Sequence, residues 1–123
     1  MTKENLEVLK NKVKARKAFI LNEGDSKILI NDKLPPEELR LEEHVLGNMI
    51  DSIPTFCELI EEVTDGSFIE SRNQKVIAAL TEIFTYAGKP NITTITSELK
   101  KSGEFNSVGG LSYLEYLANK KES

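Results

Sequence analysis

Prolines and glycines cut most of this chain into short segments. Pro35 and Pro36, Pro54, Gly88 with Pro90, Gly103, and the pair Gly109 and Gly110 punctuate the stretch from residue 34 to residue 118. Adjacent prolines cannot sit inside a helix but suit its entrance, where the missing N–H would find no partner anyway. Between these breaks the apolar residues recur at the spacing of a helix with one buried face. From Pro36 to Ile50, residues Leu39, Val45, Leu46, Met49 and Ile50 share a face, while Glu37, Glu38, Glu42 and Glu43 hold the other, solvated one. Gly47 inside this segment costs roughly 1 kcal/mol relative to alanine and suits a point where another helix crosses closely.

Ser52 and Pro54 start a second helix, in which Thr55 and Glu58 have capping-box spacing and Phe56, Leu59, Ile60 and Val63 form the buried face. Asp65 and Gly66 end it, and Phe68 plugs the core from the following loop. Ser71 and Gln74 repeat the capping-box spacing and open a helix whose inward stripe is Val76, Ile77, Leu80, Ile83, Phe84 and Ala87, with Gly88 and Pro90 as its stop. Thr94 caps a short helix carrying Ile95 and Leu99, which ends at Gly103 with Lys100 and Lys101 in the last turn. Ser107 begins a last helix with Leu111, Leu114, Leu117 and Ala118 inside. The fold class is therefore all-α, a compact orthogonal bundle of about five short helices spanning residues 34–123.

Residues 1–33 precede this bundle as a basic helix followed by a linker or small hairpin. Leu6, Leu9, Val13 and Ile20 recur near one face of residues 3–19, with lysines opposite. So narrow a stripe needs a partner surface, either the body of the domain or another chain. Asn22 to Ser26 is turn-like, with Gly24 and Asp25 at its centre and Phe19–Leu21 and Ile28–Ile30 on its flanks, the pattern of a small hairpin. An irregular linker is the alternative.

Charge divides the chain the same way. Lys3, Lys10, Lys12, Lys14, Arg16 and Lys17 against Glu4 and Glu7 give residues 1–18 a net +4, which leaves −8 for the rest of a chain whose total is −4. An acidic body repels a phosphate backbone, so only the leading helix is suited to touch nucleic acid, and a solvated helix face is the plainer reading of its lysines. Cys57 is the only cysteine, which excludes an internal disulfide and, with one histidine, a four-ligand Cys/His zinc site. No apolar run approaches the length of a membrane span, and Met1–Asn11 lacks the apolar core of a signal peptide, so a cytoplasmic location is expected.

Catalytic chemistry has no residues to work with. Gly109 and Gly110 are followed by Leu111 and Ser112 rather than the Lys and Ser or Thr of a phosphate-binding loop, so this pair serves a close-packed helix entrance. His44, the sole histidine, stands among glutamates and is read as a surface or half-buried residue rather than a general base. Glu42 with Glu43, and Glu61 with Glu62 and Asp65, are adjacent on helices and point apart, as solvated faces do, so no metal ligands are assigned. Tyr113 and Tyr116, beside Phe105, are suited to core packing before base stacking. No catalytic, cofactor-binding or metal residue is assigned, and the interaction residues are left open.

Leu34, Pro35, Pro36, Glu42, Glu43, Val45, Leu46 and Gly47, followed some seventy residues later by Val108, Gly109, Gly110, Leu111, Ser112, Tyr113, Leu114 and Leu117, resemble the N-terminal domain of DnaB-type replicative DNA helicases. Phe68, Pro90, the run Thr94, Ile95, Thr96, Glu98 and Leu99, and Gly103 with Phe105 extend the likeness over about residues 34–118. Gly66, Ser67 and Ile69 depart from the family pattern, and its usual histidine is replaced by Asn73. The resemblance implies a collar domain of a hexameric helicase that contacts neighbouring subunits, primase or a helicase loader, with no cofactor of its own. It implies a non-enzymatic replication domain, because no ATPase motif stands in these residues, and a weak tendency to self-associate. The rival readings are a freestanding adaptor or decoy that caps a helicase or loader, and a small DNA-binding protein using the helix from Lys3 to Lys17.

Overall fold

A computed structural model describes residues 2–50, 52–63 and 67–120. Among them are six α-helices and no strand: α1 (Lys3–Glu23), α2 (Pro36–Met49), α3 (Ile53–Val63), α4 (Ser71–Thr85), α5 (Ile92–Lys101) and α6 (Gly110–Ala118). The fold is all-α. Helix α2 is central, packing on α3, α4 and α6, while α5 bridges α4 and α6 and α1 lies on α3. Val45, Leu46, Leu59, Leu80, Ile83, Ile95, Leu114 and Leu117 are fully enclosed in one continuous core. Phe68 is buried as its loop position suggested, and Gly47 is buried on α2.

The leading helix runs four residues beyond the expected Phe19, to Glu23, and the turn at residues 22–26 does not make a hairpin. Phe19, Ile20 and Leu21 continue the helical turn instead. Gly24, at φ +88°, is the first residue that leaves the helix readily, and its N–H closes onto the Ile20 carbonyl at 2.8 Å. A single 3₁₀ turn at Asp25–Lys27 follows. The only strand-like pairing in the linker is one bridge between Ile30 and Lys33. It closes around Asn31 and Asp32, both at positive φ as a two-residue hairpin turn demands. A lone two-stranded hairpin has little stability in water, and here it shrinks to that one pair.

Several helix boundaries differ from the sequence reading for local reasons. Helix α3 begins at Ile53, so Thr55 lies inside its first turn and accepts a hydrogen bond from the Ser52 hydroxyl at 3.1 Å. Its expected end at Asp65 and Gly66 lies outside the described residues. Ser71 does not cap α4, and Gln74 donates to the Phe68 carbonyl at 2.8 Å rather than closing a capping box. In α5 the cap is Asn91, whose side chain and that of Thr94 bond each other's backbone N–H reciprocally. Helix α6 starts at Gly110, and Ser107 instead belongs to a turn closed on Glu104. The glycine pair does form a close-packed entrance: Gly109 sits at φ +107°, where a Cβ would approach Tyr113 Cβ to 3.0 Å.

The ends of the apolar stripes also correct the sequence reading. Leu111 is exposed, and Ala87 is exposed just beyond the end of α4. Phe84 is only half covered, meeting Phe56 edge-on at 5.8 Å. Helix α4 stops at Thr85, and Ala87 takes φ +59° while the N–H groups of Ala87 and Gly88 bond the Phe84 and Ile83 carbonyls. This is a Schellman closure with alanine in the place usually held by glycine.

Candidate interaction site and its polar core

The largest departure from the sequence reading concerns Glu42 and Glu43, which face the interior rather than solvent; Glu42 is 0% exposed. A buried carboxylate is tolerable only when its oxygens are bonded and its charge is paired. Glu42 meets both needs. Its Oε2 accepts from Arg16 Nη1 at 2.6 Å and Ile69 N at 2.8 Å, and its Oε1 accepts from Asn73 Nδ2 at 2.9 Å and Glu70 N at 3.3 Å. Ile69 and Glu70 are the two residues that lead into α4. The carboxylate of α2 thus anchors the backbone of the two residues that enter α4, near the positive end of that helix's dipole.

Arg16 comes from α1 and completes the site. Its Nη2 donates to the Glu38 carbonyl at 2.7 Å and to Glu38 Oε1 at 3.2 Å, and Nη1 also reaches the Ser67 carbonyl at 3.4 Å. One planar guanidinium therefore ties α1 to α2 and to the loop before α4, which the single point charge of a lysine could not do. On the other side of Glu42, Asn73 accepts a hydrogen bond from the Tyr113 hydroxyl, which links α4 to α6. Glu43 accepts from the Tyr116 hydroxyl at 2.8 Å. Burial pushes the Tyr113 hydroxyl well above its usual range; Arg72 opposes that shift, and Glu43 and Glu70 reinforce it.

Only part of this network is legible in the sequence. Asn73 stands where the family histidine was expected, and it bonds both Glu42 and Tyr113. In the sequence Arg16 reads merely as one more basic residue of the leading helix. Its signal was position, because Leu9, Val13 and Arg16 recur along one helix face and all three are buried.

The other sequence candidates fall outside any shared site. His44 is half-buried, and its backbone carbonyl accepts from Asn48 Nδ2 at 2.8 Å. It borders a groove of about 600 Å³ between α1 and α2 together with Lys12, Arg40 and Leu41. Tyr113 is buried, but Tyr116 is exposed rather than packed in the core; the two rings stack at 5.8 Å, Arg72 lies 4.0 Å from the Tyr113 ring, and Lys120 lies 4.7 Å from the Tyr116 ring. Among the described residues no group of three or more His, Cys, Asp or Glu side chains is placed to hold a metal, and no helix is long and apolar enough to cross a membrane.

The basic helix also turns inward. Lys10 pairs with Glu58 at 3.2 Å and Lys14 with Glu62 at 3.8 Å, and Arg16 is buried on Glu42. The hydrogen bond to Glu58 raises the Lys10 ammonium above its ordinary range. Apolar surface remains on the outside at Ile53 and Phe84, and at Leu111 and Tyr116 on α6.

The arrangement of α2 to α6, with a proline entrance to the first and a glycine-pair entrance to the last, has known counterparts. The profile of the DnaB-like helicase N-terminal domain family matches residues 34–123. The chain belongs to this family. A crystal structure of the N-terminal domain of DnaB helicase from Mycobacterium tuberculosis superposes with a TM-score of 0.67 at 27% identity, over 72% of this chain and 62% of that one. The replicative DNA helicase DnaC of Bacillus subtilis is 31% identical over 91 residues, 74% of this chain and 20% of that protein. The replicative DNA helicase DnaB of Rhodothermus marinus is 29% identical over 91 residues, 74% of this chain and 10% of that protein. The chain thus spans a fifth or less of these relatives. Within the DnaB-like match lie Glu38, Glu42, Ser67, Asn73 and Tyr113, whereas all of α1, Arg16 included, precedes it.

Proposed function

We propose that this DnaB-like domain is a non-catalytic contact module of DNA replication, binding subunits of a replicative helicase and, through them or directly, primase or a helicase loader. The observation that carries this reading is the match of residues 34–123 to the helicase N-terminal domain, in a chain whose residues include no phosphate-binding loop. The exposed apolar positions on α3, α4 and α6 are the natural contact points, because burying exposed apolar side chains favours association. The work of the domain is then assembly, with ATP hydrolysis left to its partner.

The test is a binding titration of the purified chain against an intact replicative helicase, a primase and a loader, followed by sedimentation and with ATPase activity read in parallel. Association with the helicase, and no hydrolysis by the chain alone, is the expected result. A chain that ignores all three partners, or that hydrolyses ATP unaided, would falsify the reading.

A further inference from the structure

Helix α1 is seated on the family domain while lying outside the part that the family shares. Its 21 residues bury only Leu9, Val13 and Arg16. The linker that follows, residues 24–34, contains no buried residue. The receiving surface, by contrast, is wholly within the shared domain and is acidic: Glu58 and Glu62 on α3, and Glu38 and Glu42 on α2. If α1 left, Glu42 would keep its bonds from Ile69 N, Glu70 N and Asn73 Nδ2 and would lack only its cation. The seat would stand preformed, with one buried charge unanswered.

We propose that this seat is a helix-docking site held closed by α1 as a built-in strap, and that its outside occupant is a basic amphipathic helix of a partner protein with the pattern of α1. That pattern is two apolar residues four apart, as Leu9 and Val13, then an arginine three residues on, as Arg16, with lysines placed as Lys10 and Lys14. The arginine is the selective element, because its fork must reach Glu42, Glu38 and the Ser67 carbonyl together. The acidic rim favours a basic partner and repels an acidic one. A strap with so few buried side chains belongs to the part of a structure that opens locally before the core does. The strap acts as a gate: the intact chain is closed to such helices, and a competitor must displace α1 to bind.

The experiment uses the full chain with a protease site inserted between Asn31 and Asp32, both exposed, and cut after folding. A fluorescently labelled peptide of residues 2–24 is then added and its anisotropy followed. The cut chain should keep the helical signal of its body and take up the labelled peptide by exchange, while the uncut chain takes up far less. A peptide carrying Arg16→Ala should bind on the order of thirtyfold more weakly, since one partner of a buried charge pair is lost. Raised salt should weaken the native peptide. The proposal is overturned if the cut chain loses its fold, if the resident helix does not exchange, or if the Arg16→Ala peptide binds as well as the native one. None of these readouts involves helicase, primase or loader, so they stand apart from the contacts proposed above.

Discussion

At the scale of single residues, the fold turns on how a buried carboxylate is satisfied. Asn73 contributes its amide N–H to Glu42 and its amide oxygen to Tyr113, so it needs both a donor and an acceptor. Asn73→Asp keeps the acceptor and puts a second carboxylate against Glu42. The expected loss is about 3 kcal/mol near neutral pH. Like charges at such range cannot both ionise cheaply, so the introduced carboxyl should hold its proton above the unfolded value of about 4. A group whose folded pKa is raised contributes stability that is present below the unfolded pKa and lost as pH rises. The gap in melting temperature between variant and native protein should therefore narrow as pH falls from 7 towards 4.5, and a gap that ignores pH would count against the network. Tyr113 gives the alkaline counterpart. Its hydroxyl is held neutral by burial, so the folded state loses stability as pH climbs past about 10, where the unfolded tyrosine ionises. Tyr113→Phe should cost about 1–2 kcal/mol at pH 7, because the Asn73 oxygen is left without its donor, and should flatten that alkaline loss in denaturant titrations.

At the scale of helices, the chain carries a matched pair of C-terminal closures. Helix α5 ends with Gly103 at φ +77°, its N–H on the Lys100 carbonyl and the next N–H on the Leu99 carbonyl. Helix α4 ends in the same way, with Ala87 in the left-handed position. Ala87→Gly should raise stability by about 0.5–1 kcal/mol, the left-handed strain of alanine less the extra freedom of glycine in the unfolded chain. Gly103→Ala should lower it by about 1 kcal/mol. Thermal melts of the two variants read these opposite signs directly. The same closures show why helices were legible in the sequence while their ends were not. Periodicity marks a buried face, so α2 to α6 and most of the core could be read from apolar spacing alone. An end depends on local partners and backbone angles: a carboxylate from α2 that holds the chain entering α4, an asparagine in place of a threonine at α5, an alanine in the left-handed place of a glycine after α4. Apolar spacing misplaces Glu42 for a related reason. Helical periodicity assigns a charged residue to the solvent, and the partners that reverse this assignment, Arg16 and Asn73, lie 26 and 31 residues away.

At the scale of the whole molecule, charge decides what the domain can approach. Six basic residues in the first 18 suggest a phosphate-binding helix in the linear sequence. In the folded chain Lys10, Lys14 and Arg16 face carboxylates of the body, leaving Lys3, Lys12 and Lys17 as the basic side chains of α1 not paired there. They stand on a protein of net charge −4. Each phosphate neutralised contributes somewhat less than one unit to the slope of log affinity against log salt. A labelled single strand titrated across a salt series should therefore show a slope no steeper than about 3, and a dissociation constant above roughly 100 μM at physiological salt. A slope near twice that value is what all six basic residues of α1 would give together. Since Arg16 reaches solvent only when Glu42 gives it up, contacts from all six would mean that nucleic acid pulls α1 off the domain. Salt slope measured beside amide exchange of α1 separates the two cases, because a helix that stays seated keeps its protection while DNA is bound.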